Sequence, residues 1–209
     1  MCTGKCAKCI GGSLYPFALV CIICNIILFF PDWSTQYTTE DTLDGSSRIT
    51  EEVKYMGGLI GGGILVLVPA IHIQATGKQG CCANRCGMFL SIAFAAVGLV
   101  GGLYSLVTAS LGLINGPTCL YMNWNTFKME WGTPFAEQLE KFDNSSYLFN
   151  KDSWSLCKEP ENVVEFNITL FSIIMAASCI EMVLCAFQIV NGLFGCLCGT
   201  CGDKGPVVD

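Results

Sequence analysis

The chain has 209 residues, of which 13% are charged and 52% hydrophobic, with a formal net charge of -6 and a mean hydropathy of +0.53. An ordinary soluble domain carries nearly twice that share of charge, which excludes that class and leaves a polytopic membrane protein. An acidic chain has no phosphate-neutralising surface, so nucleic acid is excluded as a partner.

Residues 1–12 carry Lys5 and Lys8 and no acid. The run 13–30 that follows has no charge and stops at Pro31-Asp32. At ~1.5 Å per residue it spans about 27 Å, just enough to cross a bilayer. It exceeds the usual apolar region of a signal peptide and no small-x-small site follows it, so it is expected to be retained. Two more runs, 56–75 and 88–114, flank the polar turn 76–87 and predict a transmembrane hairpin. A fourth run, 166–191, has one internal charge, Glu181, and leads into a Gly/Cys-rich tail, 192–209. The expected fold is an all-α membrane protein: a four-helix transmembrane bundle with a short first loop, 31–55, and a larger second loop, 115–165.

Orientation follows from charge density. The turn 76–87 has Lys78 and Arg85 and no acid, like residues 1–12, whereas 31–55 hold six acids and 115–165 hold eight. By the positive-inside rule the N-terminus, the turn and the tail are cytoplasmic and both loops are extracellular. All four tryptophans, Trp33, Trp124, Trp131 and Trp154, then lie outside.

The fifteen cysteines follow the same topology. Only Cys119 and Cys157 fall outside, and one pair in an oxidising compartment predicts one disulfide. Closing that loop removes about 4 kcal/mol of unfolded-state entropy. The sequons Asn144-Ser-Ser and Asn167-Ile-Thr also fall outside, with Asn167 crowded by the fourth span.

Nine cysteines fall inside: Cys2, Cys6, Cys9, Cys81, Cys82, Cys86, Cys196, Cys198 and Cys201. Their spacing could chelate zinc, but the segments have few other residues with which to build a folded knuckle. All lie within about ten residues of a membrane boundary, which favours S-acylation. N-myristoylation needs a glycine after the initiator, and Cys2 stands there. Cys21-Ile-Ile-Cys24 has the form of the active dithiol of four-span thiol oxidoreductases such as the vitamin K epoxide reductases. It lies mid-helix, however, with no basic neighbour to lower a thiol pKa, and reads better as buried packing.

Within the spans, Gly57, Gly58, Gly61, Gly62 and Gly63, and Gly98 with Gly102, give small-xxx-small faces for close helix packing. The intramembrane polar residues Asn25, His72 and Glu181 are too few to line a transport path. His72 and Glu181 lie at similar depths, about 24 and 22 Å from the loop end, which predicts a hydrogen bond or ion pair between them. A neutral Glu181 bonded to a backbone carbonyl is the alternative. No phosphate cradle, Ser-His-Asp set or paired carboxylates appear, and a lone histidine cannot supply a metal cage; no enzyme activity, cofactor or metal is expected.

Several motifs in order carry a family resemblance: MCTGKCAKCIG at the N-terminus, FFP closing the first span, GGLIGGG in the second, Arg85-Cys86-Gly87-Met88, the run Asn115-Gly116-Pro117-Thr118-Cys119-Leu120, CKEPENVVEFNITLFS from Cys157, and QIVNGLFG from Gln188. Together they resemble the transmembrane-4 L-six family, relatives in shape of the tetraspanins, over nearly the whole chain. Tetraspanins proper fit less well, because the second loop lacks their Cys-Cys-Gly motif; claudins fit less well because the first loop has no cysteine. The resemblance implies a non-enzymatic organiser at the plasma membrane or on endosomal and lysosomal membranes. Its implied partners are membrane lipids, integrins, growth-factor receptors and itself, with effects on adhesion, motility and growth. A small-ligand sensor or transporter subunit is the alternative.

Overall fold

In hydrocarbon every backbone polar group must bond within the chain, so uncharged apolar runs fold as helices. The computed structural model describes residues 3–34, 48–76, 85–123, 126–136 and 146–198. Helix α1, Thr3–Leu28, is followed by a 3-10 turn, Pro31–Trp33. The second span is built from a short helix α2, Glu51–Lys54, a π-helical segment, Gly57–Ile64, and helix α3, Leu65–Thr76. Helix α4 is Arg85–Asn115 and helix α5 is Val163–Cys198. Four helical stretches are long and apolar enough to cross a membrane: Gly4–Leu28, Glu51–Thr76, Cys86–Asn115 and Val163–Leu197.

The helices outrun the apolar stretches. Helix α1 starts at Thr3, well before residue 13, because Ala7, Ile10 and Leu14 recur at helical spacing and bury against Ala70 and Ile73 of α3. Helix α5 has 36 residues, about 54 Å against a hydrocarbon core of about 30 Å, so it projects beyond the bilayer.

Helix α1 packs on the second span and on α5, and α4 packs on the same two neighbours. The four spans therefore form a square with spans two and four on one diagonal. Leu28, Glu51, Asn115 and Val163 gather at the loop end; Thr3, Thr76, Arg85 and Cys198 gather at the cysteine-rich end. Two core clusters stack along the bundle. Cys21, Leu28, Val53, Ala109, Leu113, Phe171 and Ile174 fill the half nearer the loops, and Leu14, Ala18, Val66, Ala70, Ile73, Ala95 and Cys185 fill the other.

Glycines set the approach distance. A Cβ on Gly61 would lie 2.7 Å from the Gly101 carbonyl oxygen, and one on Gly101 would lie 2.7 Å from the Gly61 oxygen. Spans two and three thus cross backbone to backbone, which only glycine at both positions allows. A Cβ on Gly57 would strike Thr108, on Gly58 the Cys21 carbonyl at 2.9 Å, on Gly62 the Cys21 sulfur at 2.8 Å, on Gly98 the Cys185 sulfur at 2.8 Å, and on Gly102 Met182 at 2.9 Å. Gly101, at the tightest crossing, was not singled out by the small-xxx-small spacing.

The second loop adds what the sequence did not predict, an antiparallel hairpin of β1, Cys119–Asn123, and β2, Lys128–Gly132. Its register pairs Cys119 with Gly132, Tyr121 with Glu130 and Met122 with Met129. Leu120 also bonds backbone to backbone with Glu159 and Lys158 on its other edge. A 3-10 turn, Lys151–Leu156, leads into α5.

Candidate functional site

The described residues of the two loops form a cap at one end of the bundle. Cys119 and Cys157 are joined as expected, with their Cα atoms 5.5 Å apart. Around this link Phe135 stacks on Tyr147 with ring centroids 4.4 Å apart. Trp154 donates its indole N–H to the Tyr147 carbonyl at 2.8 Å. Tyr147 donates to the Leu113 carbonyl at 2.5 Å, satisfying one of the last acceptors of α4. Burial, and secondarily the Glu52 carboxylate, push the Tyr147 pKa up, which keeps the hydroxyl a donor.

Polar side chains tie cap to bundle. Thr50 stands just before α2, and its hydroxyl oxygen accepts from the Thr118 N–H at 3.2 Å and the Asn167 amide at 3.4 Å. Asn115, ending α4, donates to the buried Glu52 at 2.5 Å. Beside this contact lies a cleft of about 420 Å³ lined by Glu51, Glu52, Asn115, Thr118, Trp131 and Thr133. The Arg48 guanidinium lies 5.3 Å from the centre of the Trp131 ring that forms one wall.

The hairpin has two unlike faces, since alternate residues point to opposite sides. On one, Tyr121 and Asn123 both donate to Glu130. The other carries Leu120 opposite Trp131 and Met122 opposite Met129. The two methionines are 41% and 45% exposed, Phe127 beside them 74%, and Phe149 of the same loop 90%. These side chains give the described part of the second loop an exposed apolar face.

Inside the bundle the polar residues are structural. Asn25 accepts the Leu59 N–H at 2.8 Å, and Ser178 of α5 donates to Ser105 of α4 at 2.8 Å. Gln188 donates to Ser91 at 3.1 Å, and Tyr15 to Gln74 at 3.2 Å. The expected bond between His72 and Glu181 does not form. Spans two and four are diagonal, so equal depth does not bring them together; His72 instead packs on Phe94 of α4 at 4.4 Å. Neither Glu181 oxygen nor His72 Nε2 has a hydrogen-bond partner, which also removes the carbonyl-bonded alternative. Cys21 and Cys24 are buried one turn apart on α1 and remain unlinked. Among the described residues no three His, Cys, Asp or Glu side chains converge on a metal-sized site.

The two sequons lie in different surroundings. Asn167 is 4% exposed, inside α5, with its amide turned onto Thr50. Asn144 lies outside the described residues, as do Cys2, Cys81, Cys82 and Cys201 and the side chain of Cys198. Cys6, Cys9 and Cys86 are exposed and Cys196 is half-buried, all at the cysteine-rich end.

The family model described as L6 membrane protein matches residues 1–202. Transmembrane 4 L6 family member 5 of Homo sapiens is 43% identical over 209 residues, covering 98% of each chain. Member 4 of Rattus norvegicus is 42% identical, covering 96% of this chain and 94% of its own. Member 1 of Homo sapiens is 40% identical over 96% of both. No solved structure matches. With four spans, a disulfide-closed second loop and a match along almost its whole length, the chain belongs to the L6 membrane protein family.

Proposed function

We propose that this protein is a non-enzymatic membrane organiser that binds other membrane proteins laterally, the second loop supplying specificity. The observation that carries this reading is the exposed apolar hairpin face, Met122 and Met129 with Phe127, held on a disulfide-closed cap. Methionine pairs make adaptable contact surfaces that accept partners of differing shape. The bundle beneath is closed by glycine crossings and short polar bonds, an arrangement suited to holding a scaffold rigid. Integrins, growth-factor receptors and a second copy of the chain are the partner classes this reading implies.

The basic turn and N-terminus favour a cytoplasmic location for both termini and an extracellular cap. Cys6, Cys9 and Cys86, exposed at the cytoplasmic end, are suited to S-acylation that sets lateral partitioning, and Asn144 is suited to carry the glycan. The residence proposed is the plasma membrane, with endosomal or lysosomal membranes as further sites.

Proximity labelling by the full-length protein in living cells tests the reading. Met122→Lys with Met129→Lys is expected to lose most labelled membrane proteins at an unchanged surface level. A label set identical to that of the unsubstituted protein would overturn it.

A further inference from the structure

The outer faces of the four spans fit bilayers of different thickness. The stretches long and apolar enough to cross have 25 and 26 residues in the first two spans and 30 and 35 in the last two. The large apolar side chains exposed on them follow the same division. On the first span they run from Leu19 to Ile26, with Trp33 beyond the helix, and on the second from Tyr55 to Ile71. Those belts are about 21 and about 24 Å tall at the α-helical rise. On α4 they run from Phe89 to Ile114 and on α5 from Ile173 to Leu197, belts of about 38 and about 36 Å. No exposed charge interrupts either taller belt, since Glu181 is buried. The first two spans pack on each other, as do α4 and α5, so the short and tall belts lie on opposite sides of the square.

The difference falls at one end. Glu52 with Asn115, and Thr50 with Asn167, hold the loop ends of the second span, α4 and α5 level. Deeper in, a Cβ on Gly98 would lie 2.8 Å from the Cys185 sulfur and 3.5 Å from Pro69, which puts these three residues at one depth. From there toward the cysteine-rich end, the belt stops about 3 Å on at Ile71, but about 14 Å on at Phe89 and about 18 Å on at Leu197. The first span meets Ala70 and Gln74 at Gly11, and its outward residues at that end are Lys5, Cys6, Lys8 and Cys9. Lysines on one side of the bundle thus stand near the depth of Phe89 and Phe194 on the other. A tilt that seats the slanted end unseats the level one, so a uniform core of about 30 Å does not match both sides.

We propose that the bundle is a hydrophobic wedge that gathers at boundaries between thinner and thicker bilayer. The first two spans face the shorter or disordered chains, and α4 and α5 face the longer or ordered ones. Each ångström of mismatch has a cost, and only at such a boundary are both sides relieved together. The partner of this surface is lipid, and the organising effect runs through the bilayer without using the hairpin face of the cap.

The test uses the fluorescently tagged full-length protein in giant vesicles of sphingomyelin, unsaturated phosphatidylcholine and cholesterol, which separate into thicker ordered and thinner disordered phases. Hydroxylamine treatment beforehand removes thioester-linked acyl chains, which would otherwise direct partitioning themselves. The protein is expected at the phase boundary, enriched at least about threefold over either phase. Leu90→Lys with Leu193→Lys, both at exposed positions, sets lysines on α4 and α5 at the depth of Lys5 and Lys8, and is expected to abolish the enrichment and leave the protein in the disordered phase. Met122→Lys with Met129→Lys, which removes the apolar hairpin face, is expected to leave the enrichment intact, so this result stands or falls apart from partner binding by the cap. Unsubstituted protein spread through one phase without boundary enrichment would overturn the proposal, and that measurement decides alone if the lysine variant does not fold. A folded lysine variant that still gathers at the boundary would overturn it as well.

Discussion

The side-chain amide of Asn167 donates to the hydroxyl of Thr50 across 117 positions of sequence. The same hydroxyl oxygen accepts the Thr118 N–H, so a single buried atom joins the approach to α2, the exit from α4 and the start of α5. Thr50→Val leaves two buried donors without an acceptor. The expected loss is ~2 kcal/mol or more, at the ~1–3 kcal/mol typical of an unsatisfied buried group. Thermal melting in detergent checks it, and a melting point unchanged by Thr50→Val would remove the hub from the account.

The same contact makes a prediction about glycans. A folded chain with Asn167 turned inward carries none there, so Asn144→Gln is expected to abolish the mobility shift produced by deglycosylation. A residual shift in Asn144→Gln, lost only on adding Asn167→Gln, would show that the fourth span admits a sugar.

The disulfide acts on a cap with little core of its own. Among the described residues its apolar core is the small cluster of Cys119, Phe135, Tyr147, Val163 and Val164, and so small a cluster gives limited stability without a covalent link. Cys119→Ser with Cys157→Ser is expected to cost ~2–4 kcal/mol, mainly through the unfolded state. Limited proteolysis should then cut within 119–157 while the spans remain intact. Resistance equal to that of the unsubstituted protein would show that the hairpin and the Leu120–Glu159 pairing suffice.

Spans were legible in the sequence because apolar runs of eighteen or more residues with at most one charge have one stable solution in a bilayer. The disulfide was legible because topology isolates two cysteines on one side of the membrane. The hairpin was not, since its apolar face, Met122 and Met129, is exposed rather than buried, and the bridge on its other edge, to Glu159, comes from the far end of the same loop. The π segment escaped for a similar reason: five glycines announce close packing, but the backbone groups at the break before it bond to Asn25 and Tyr104 on other spans. Depth arithmetic placed His72 and Glu181 level, as a one-dimensional reading can. The order of spans around the square decides contact, and no residue count along one chain contains it.

The crossing of Gly61 and Gly101 separates packing from helix propensity. Alanine favours an ordinary helix over glycine by ~0.5–1 kcal/mol, so propensity alone predicts that Gly101→Ala stabilises. Its Cβ would lie 2.7 Å from the Gly61 oxygen, and forcing spans two and three apart should cost ~1–3 kcal/mol. Gly12→Ala is the control, because the nearest atom to that Cβ is Gln74 Nε2 at 4.0 Å. Melting should fall for Gly101→Ala and hold or rise for Gly12→Ala. A rise for both would mean that the two spans separate without loss.

Glu181 is fully buried on α5 and neither of its oxygens has a hydrogen-bond partner. A buried polar group left unsatisfied costs ~1–3 kcal/mol, and a leucine of similar size carries no such cost. Glu181→Leu is therefore expected to raise the melting temperature of the bundle. His72→Ala should lower it modestly by removing the ring that packs on Phe94. With the two residues on diagonal spans and sharing no bond, the double variant should show additive effects within ~0.5 kcal/mol. A coupling above ~1 kcal/mol would place His72 and Glu181 in contact and contradict the arrangement of the spans, and a lower melting temperature for Glu181→Leu would mean that the carboxyl holds a stabilising partner.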